Sequence, residues 1–116
     1  MTAVLLVSAG GALGAAVRYL LVLRISGRFP WSILTANITG SFLLGVLLVS
    51  ADSDLLLFAG VGFCGALTTF STFAFDTLLL AREGRRTASV ANIVISVTGS
   101  VLAVMAGLTL ARTLGL

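Results

Sequence analysis

Four long apolar runs separated by three short polar links make up the chain. Uncharged stretches occupy Trp31–Ala51, Leu55–Phe75 and Thr87–Ala111, and a fourth, Thr2–Leu23, carries one charge at Arg18. A helix needs about 20 mainly apolar residues to cross a bilayer, and each run has that length. The pattern predicts four transmembrane helices, at roughly 3–23, 31–51, 55–81 and 87–111. The links Arg24–Pro30, Asp52–Asp54 and Arg82–Arg86 are short enough to join antiparallel neighbours. The expected architecture is therefore one all-α membrane domain over residues 1–116, running up-down-up-down. No basic stretch precedes the first run and further spans follow it, so it reads as a membrane helix and not as a cleaved signal peptide.

Composition supports the same class, with 59% hydrophobic and 9% charged residues and a mean hydropathy of +1.19. Histidine is absent and Cys64 stands alone, so neither a disulfide framework nor a Cys/His metal site is available. Cys64 reads as a small packing residue. There is no Ser/His/Asp arrangement and no phosphate loop, and no enzyme is expected. The net charge of +3 comes from seven arginines against four acids. Scattered between spans, these arginines report topology and lipid contact, not nucleic acid binding. Five of them (Arg24, Arg28, Arg82, Arg85 and Arg86) fall on the side of the first and third links, against Arg112 on the other. The positive-inside rule places those links in the cytoplasm and both termini outside, for a multi-pass protein of the inner (plasma) membrane.

Small residues recur at helix-contact spacing. The pairs are Gly10 with Gly14, Gly11 with Ala15, Ala36 with Gly40, Ser41 with Gly45, and Gly99 with Ala103. A chain with so few helices cannot wrap a wide aqueous path alone, so oligomerisation is expected.

The third run contains GFCGALTTFSTF at Gly62–Phe73. Gly62 and Gly65 weaken a helix by about 1 kcal/mol each relative to Ala, and Thr68, Thr69, Ser71 and Thr72 can satisfy freed backbone groups. The composition suits a broken helix whose carbonyls could bind a cation; a continuous helix with hydroxyls bonded to the preceding turn fits it too. Phe70 and Phe73 share one helical face. Such a pair serves either packing or, with positive ring edges inward, solvation of an anion. Asn37, at the middle of the second span, offers two N–H donors where an unbonded amide is costly. Asn92, Ser96 and Ser100 stand at i, i+4 and i+8 and would line one face of the fourth span with donors. Arg18 and Asp76 are the only charges within a span, each near an end, where snorkelling to the interface suffices to explain them.

These residues resemble the Fluc (CrcB) family of fluoride channels over essentially the whole chain. The resemblance rests on GGALGAAVRYL at Gly10–Leu20, LTANITGSFLLG at Leu34–Gly45 and, most specifically, GFCGALTTFSTF. It implies a dual-topology, antiparallel dimer of four-helix subunits with a broken third helix, two fluoride pores at the interface and one structural Na+ at the centre. By position, Phe70 and Phe73 would be pore rings, Asn37 a donor, and Ser96, Ser100 and Thr72 further pore groups. Gly65 and Thr68 would hold the sodium through carbonyl oxygens, with their symmetry mates. Arg18 matches an arginine at the vestibule end of the first span, and Asp76 stands where the family more often has Glu. Trp31-Ser32 and Ala36 also depart from the common pattern, and Asn92 falls where relatives can carry an aromatic residue, which ranks it below the serines. Five arginines against one is not the balance expected of a chain that inserts both ways. The expected partner is an oppositely biased paralogue, with the homodimer as the alternative.

Two rival classes remain. A small multidrug or cation exporter would want a membrane-centred Glu in the first span, which is missing here. A packing subunit without transport activity needs only the small-residue faces.

Overall fold

The computed structural model describes all 116 residues and is helical apart from its links, its two ends and residues Thr68 and Thr69. The elements are α1 (Thr2–Arg24), α2 (Trp31–Ser50), α3 (Ser53–Leu55), a π-helix (Leu56–Cys64), α4 (Gly65–Leu67), α5 (Phe70–Arg82) and α6 (Arg86–Thr113). Four helices are long and apolar enough to cross a membrane, the third being the interrupted segment Ser53–Arg82. The molecule measures 46 × 32 × 21 Å, and its long axis matches a bilayer of about 40–45 Å with headgroups.

Local chemistry sets the ends of these elements. Asp52 caps α3, its Oδ1 accepting from the Leu55 amide at 2.8 Å. Gly84, with φ +79°, closes α5. Its N–H returns to the Ala81 carbonyl at 3.2 Å and that of Arg85 to Leu80 at 2.9 Å, the paired bonds of a Schellman stop. The chain then reverses directly into α6.

The interior is built from small residues, as expected where lipid gives helices no hydrophobic drive to associate. Gly10, Gly14, Gly40, Gly45, Gly60, Gly62 and Gly107 are among only 19 buried residues, so backbone meets backbone. Along α1 a Cβ on Gly10 would strike the Phe58 carbonyl, and one on Gly14 the Phe63 carbonyl; from the π-helix, a Cβ on Gly62 would meet Val7 O at 2.7 Å. The second seam joins α2 to α6: a Cβ on Gly45 would strike the Val104 carbonyl, and one on Gly107 that of Phe42. The Gly11–Ala15 pair is not a close contact, since Ala15 is exposed and a Cβ on Gly11 would reach only Gly62 O at 3.9 Å.

Gly10 and Gly11 therefore make a matched pair. Gly10→Ala forces apart two backbones and is expected to destabilise the fold by about 1–3 kcal/mol or more. Gly11→Ala has room and gains up to about 1 kcal/mol of helix propensity. Unfolding in SDS-detergent mixtures, followed by far-UV circular dichroism, checks the contrast, and equal stabilities for the two variants would refute the seam.

Candidate functional site

The site is organised around two residues that leave the helix. Thr68 (φ −80°, ψ 153°) and Thr69 (φ −151°, ψ 126°) are extended, so the third span is broken. A break inside hydrocarbon must have its backbone groups satisfied by protein, and Asn37 of α2 does this. The Thr69 amide donates to Asn37 Oδ1 at 2.8 Å, and Asn37 Nδ2 donates to the Thr69 carbonyl at 3.2 Å. Thr69 then caps α5: its Oγ1 accepts from the Thr72 amide at 3.2 Å. On the other flank the Cys64 carbonyl accepts from both the amide (3.0 Å) and the hydroxyl (2.9 Å) of Thr68.

The break takes the four carbonyls of Gly65 to Thr68 off the helical ladder, and these bonds show where the amides lost by two of them go. In a continuous helix the Gly65 carbonyl would bond the Thr69 amide and the Thr68 carbonyl the Thr72 amide, but Asn37 takes the first amide and Thr69 Oγ1 the second. Gly65 is also exposed.

Beside the break lies an open cleft of about 430 Å³. Asn37, Gly65 and Thr68 line it from the side of the break, and Phe70, Phe73, Ser96 and Ser100 complete it. The two rings sit 5.8 Å apart between centroids and tilted by 54°. Phe70 is 79% exposed, which leaves one wall of the cleft open. No charged side chain lines the cleft, so its polar character comes from amide, hydroxyl and backbone groups.

Other expected residues lie elsewhere. Thr72 and Asp76 face a second cleft of about 380 Å³ near the Arg24–Pro30 link, with Arg28 and Glu83. Arg18 lines neither cleft. Asn92 is buried between α5 and α6, where its Nδ2 donates to Thr77 Oγ1 at 2.8 Å. The serine track therefore divides, with Asn92 facing α5 and the two serines on the cleft. No motif or spacing points to Thr77, whereas Thr69, one of the hydroxyls expected to satisfy freed backbone, is the N-cap of α5.

A family model described as CrcB-like protein, Camphor Resistance (CrcB), matches residues 5–108. The chain belongs to the CrcB family. Among CrcB relatives, a protein of Nocardia farcinica named fluoride-specific ion channel FluC 1 is 50% identical over 110 residues, covering 90% of this chain and 78% of its own. A Rhizobium meliloti protein named fluoride-specific ion channel FluC is 43% identical, covering 98% and 99%. One of the same name from Methanocaldococcus jannaschii is 41% identical, covering 92% of each. The four membrane helices make this CrcB chain a multi-pass membrane protein.

If Asn37 holds the break, Asn37→Leu strands both polar groups of Thr69 in a water-poor site. The expected cost is about 2–4 kcal/mol, from two lost bonds. Asn37→Gln keeps both an acceptor for the Thr69 amide and a donor for its carbonyl and should cost less. The same SDS titration measures both, and an unchanged midpoint for Asn37→Leu would contradict this role.

Proposed function

We propose that this protein is a fluoride-selective, passive channel that lets fluoride leave the cytoplasm, working as an antiparallel dimer with two pores and one structural sodium ion. The observation that carries the reading is a single charge-free cleft holding Asn37, both phenylalanines and both serines beside a helix break, in a chain whose relatives are named fluoride-specific ion channels. Fluoride is small and strongly hydrated, so a path must replace its water shell with closely spaced donors. The second N–H of Asn37, serine hydroxyls and the positive edges of two rings are such groups. Several weak contacts in series favour passage over retention. No carboxylate lines the cleft to carry a coupled proton or cation, which favours a passive channel over an exporter.

The open wall at Phe70 is the surface a second subunit would cover. The donor set fits a sodium ion there, because the Gly65 and Thr68 carbonyls lack helical partners and would supply two neutral oxygens per chain, four with the symmetry mates. Bound sodium would supply positive charge that ties the two breaks together.

Purified protein in liposomes, monitored with a fluoride electrode, is expected to release fluoride while retaining chloride. Phe70→Ile with Phe73→Ile should slow fluoride release by about tenfold or more, equivalent to about 1.4 kcal/mol. No fluoride release by the native protein, reconstituted together with its paralogous partner if terminal tags show one-way insertion, would overturn the channel, and an unchanged rate in the double variant would remove the rings from the path.

The arginine asymmetry bears on assembly. With five arginines on one side against one, the chain inserts mainly with both termini outside and pairs with a paralogue of opposite bias. Labelling of terminal tags in intact cells is expected to reach most copies. Labelling of only half would instead establish dual topology and a homodimer.

A further inference from the structure

Asn92 is only 2% exposed, yet it touches the cleft through a chain of hydrogen bonds whose donors all point one way. Ser96 Oγ donates to Asn92 Oδ1 at 3.2 Å, and Asn92 Nδ2 donates to Thr77 Oγ1 at 2.8 Å. Thr77 Oγ1 in turn donates to the Phe73 carbonyl at 2.8 Å. Ser89 Oγ pins the same turn by donating to the Thr77 carbonyl at 2.8 Å. The relay thus begins at a serine on the cleft wall and ends on the backbone of a phenylalanine on the same cleft.

Its direction has a chemical consequence. With its hydrogen committed to Asn92, Ser96 offers the cleft only oxygen lone pairs, which repel an anion. A serine hydroxyl can rotate. To donate to an anion it must leave Asn92 Oδ1, which is then buried without a partner, and that loss is penalised. A strong hydrogen-bond acceptor can draw the hydroxyl away and a weak one cannot. Among halides, acceptor strength falls steeply from the smallest ion to the larger ones.

We propose that Asn92 and Thr77 are positioning residues that make Ser96 a conditional donor, released only to a small, charge-dense anion. Asn92 holds the hydroxyl back, and Thr77 anchors Asn92 while fixing the Phe73 backbone. The proposal rests on the anion-channel reading above and adds to it a discrimination by acceptor strength, independent of cleft width.

The test measures fluoride release from liposomes as a function of fluoride concentration. Asn92→Leu removes the competing acceptor, so the half-saturating fluoride concentration should fall by about tenfold, the worth of one hydrogen bond. In a Ser96→Ala background the same substitution should leave it unchanged. Thr77→Val, which frees Asn92 from its anchor, should shift it in the same direction by a smaller factor, and Thr77→Ser should restore the native value. A merely structural role would lower the maximal rate without lowering half-saturation. The proposal is overturned if Asn92→Leu and Thr77→Val both leave half-saturation unmoved, or if Asn92→Leu shifts it equally with and without Ser96. Should the native protein pass no fluoride, the channel reading fails by itself and the relay is judged by nuclear magnetic resonance. The Asn92 side-chain amide resonance is expected to move in both Ser96→Ala and Thr77→Val, and an unmoved resonance would refute the relay.

Discussion

The double hydrogen bond between Asn37 and Thr69 is the interaction on which the rest of the site depends. A peptide unit that leaves a helix in the middle of a membrane must find a partner for its N–H and for its C=O, at several kcal/mol for each left bare. A side-chain amide serves both, accepting through its oxygen and donating through its separate nitrogen. Because Asn37 takes the Thr69 amide, the Gly65 carbonyl is released; because Thr69 Oγ1 takes the Thr72 amide, so is that of Thr68. The same two extended residues turn α5 so that Phe70 and Phe73 share a cleft with Ser96 and Ser100.

The two halves of the broken span are held by different physics. The half before the break is locked by backbone approach, since Gly10, Gly14 and Gly62 bring α1 and the π-helix too close for any Cβ. The half after it is joined to α6 by hydrogen bonds through Thr77, Ser89 and Asn92. Close packing has little tolerance for displacement, whereas a hydroxyl can exchange one partner for another. The carbonyls of the break therefore sit on a stiff element, and the groups able to reorient lie on the other.

Much of this was legible in the sequence. Apolar run lengths set the four helices because a bilayer demands that length, and glycine spacing announced the seams at Gly10, Gly14 and Gly45. Composition alone left the break undecided: the same threonines can bond back along a helix or cap a new one, and the choice lies in Asn37, a residue 32 positions away from Thr69. Periodicity also grouped Asn92 with Ser96 and Ser100 as one face. A helical face is wider than one environment, and Asn92 turns toward Thr77 while the serines stay on the cleft. The separation of Thr72 and Asp76 into a second cleft has the same cause, since α5 presents one side to Ser96 and another to the Arg24–Pro30 link.

One surface of the chain is poorly matched to lipid. Leucine and valine side chains exposed along α1 and α6 are well served by acyl chains, but the exposed Gly65 presents a carbonyl deprived of its amide, and hydrocarbon offers that oxygen nothing. Water could solvate it only by flooding the middle of the bilayer. A cation could do so directly, yet two carbonyls are too few to replace a hydration shell, so a cation there calls for oxygens from a second chain. The same second chain would cover Phe70 and turn an open cleft into an enclosed path. On the proposed dimer reading, the hydrogen bonds that stabilise the break within one chain also bear on assembly: Asn37 takes the Thr69 amide and Thr69 Oγ1 takes the Thr72 amide, and the Gly65 and Thr68 carbonyls so freed are oxygens that a second chain would complete into a cation site.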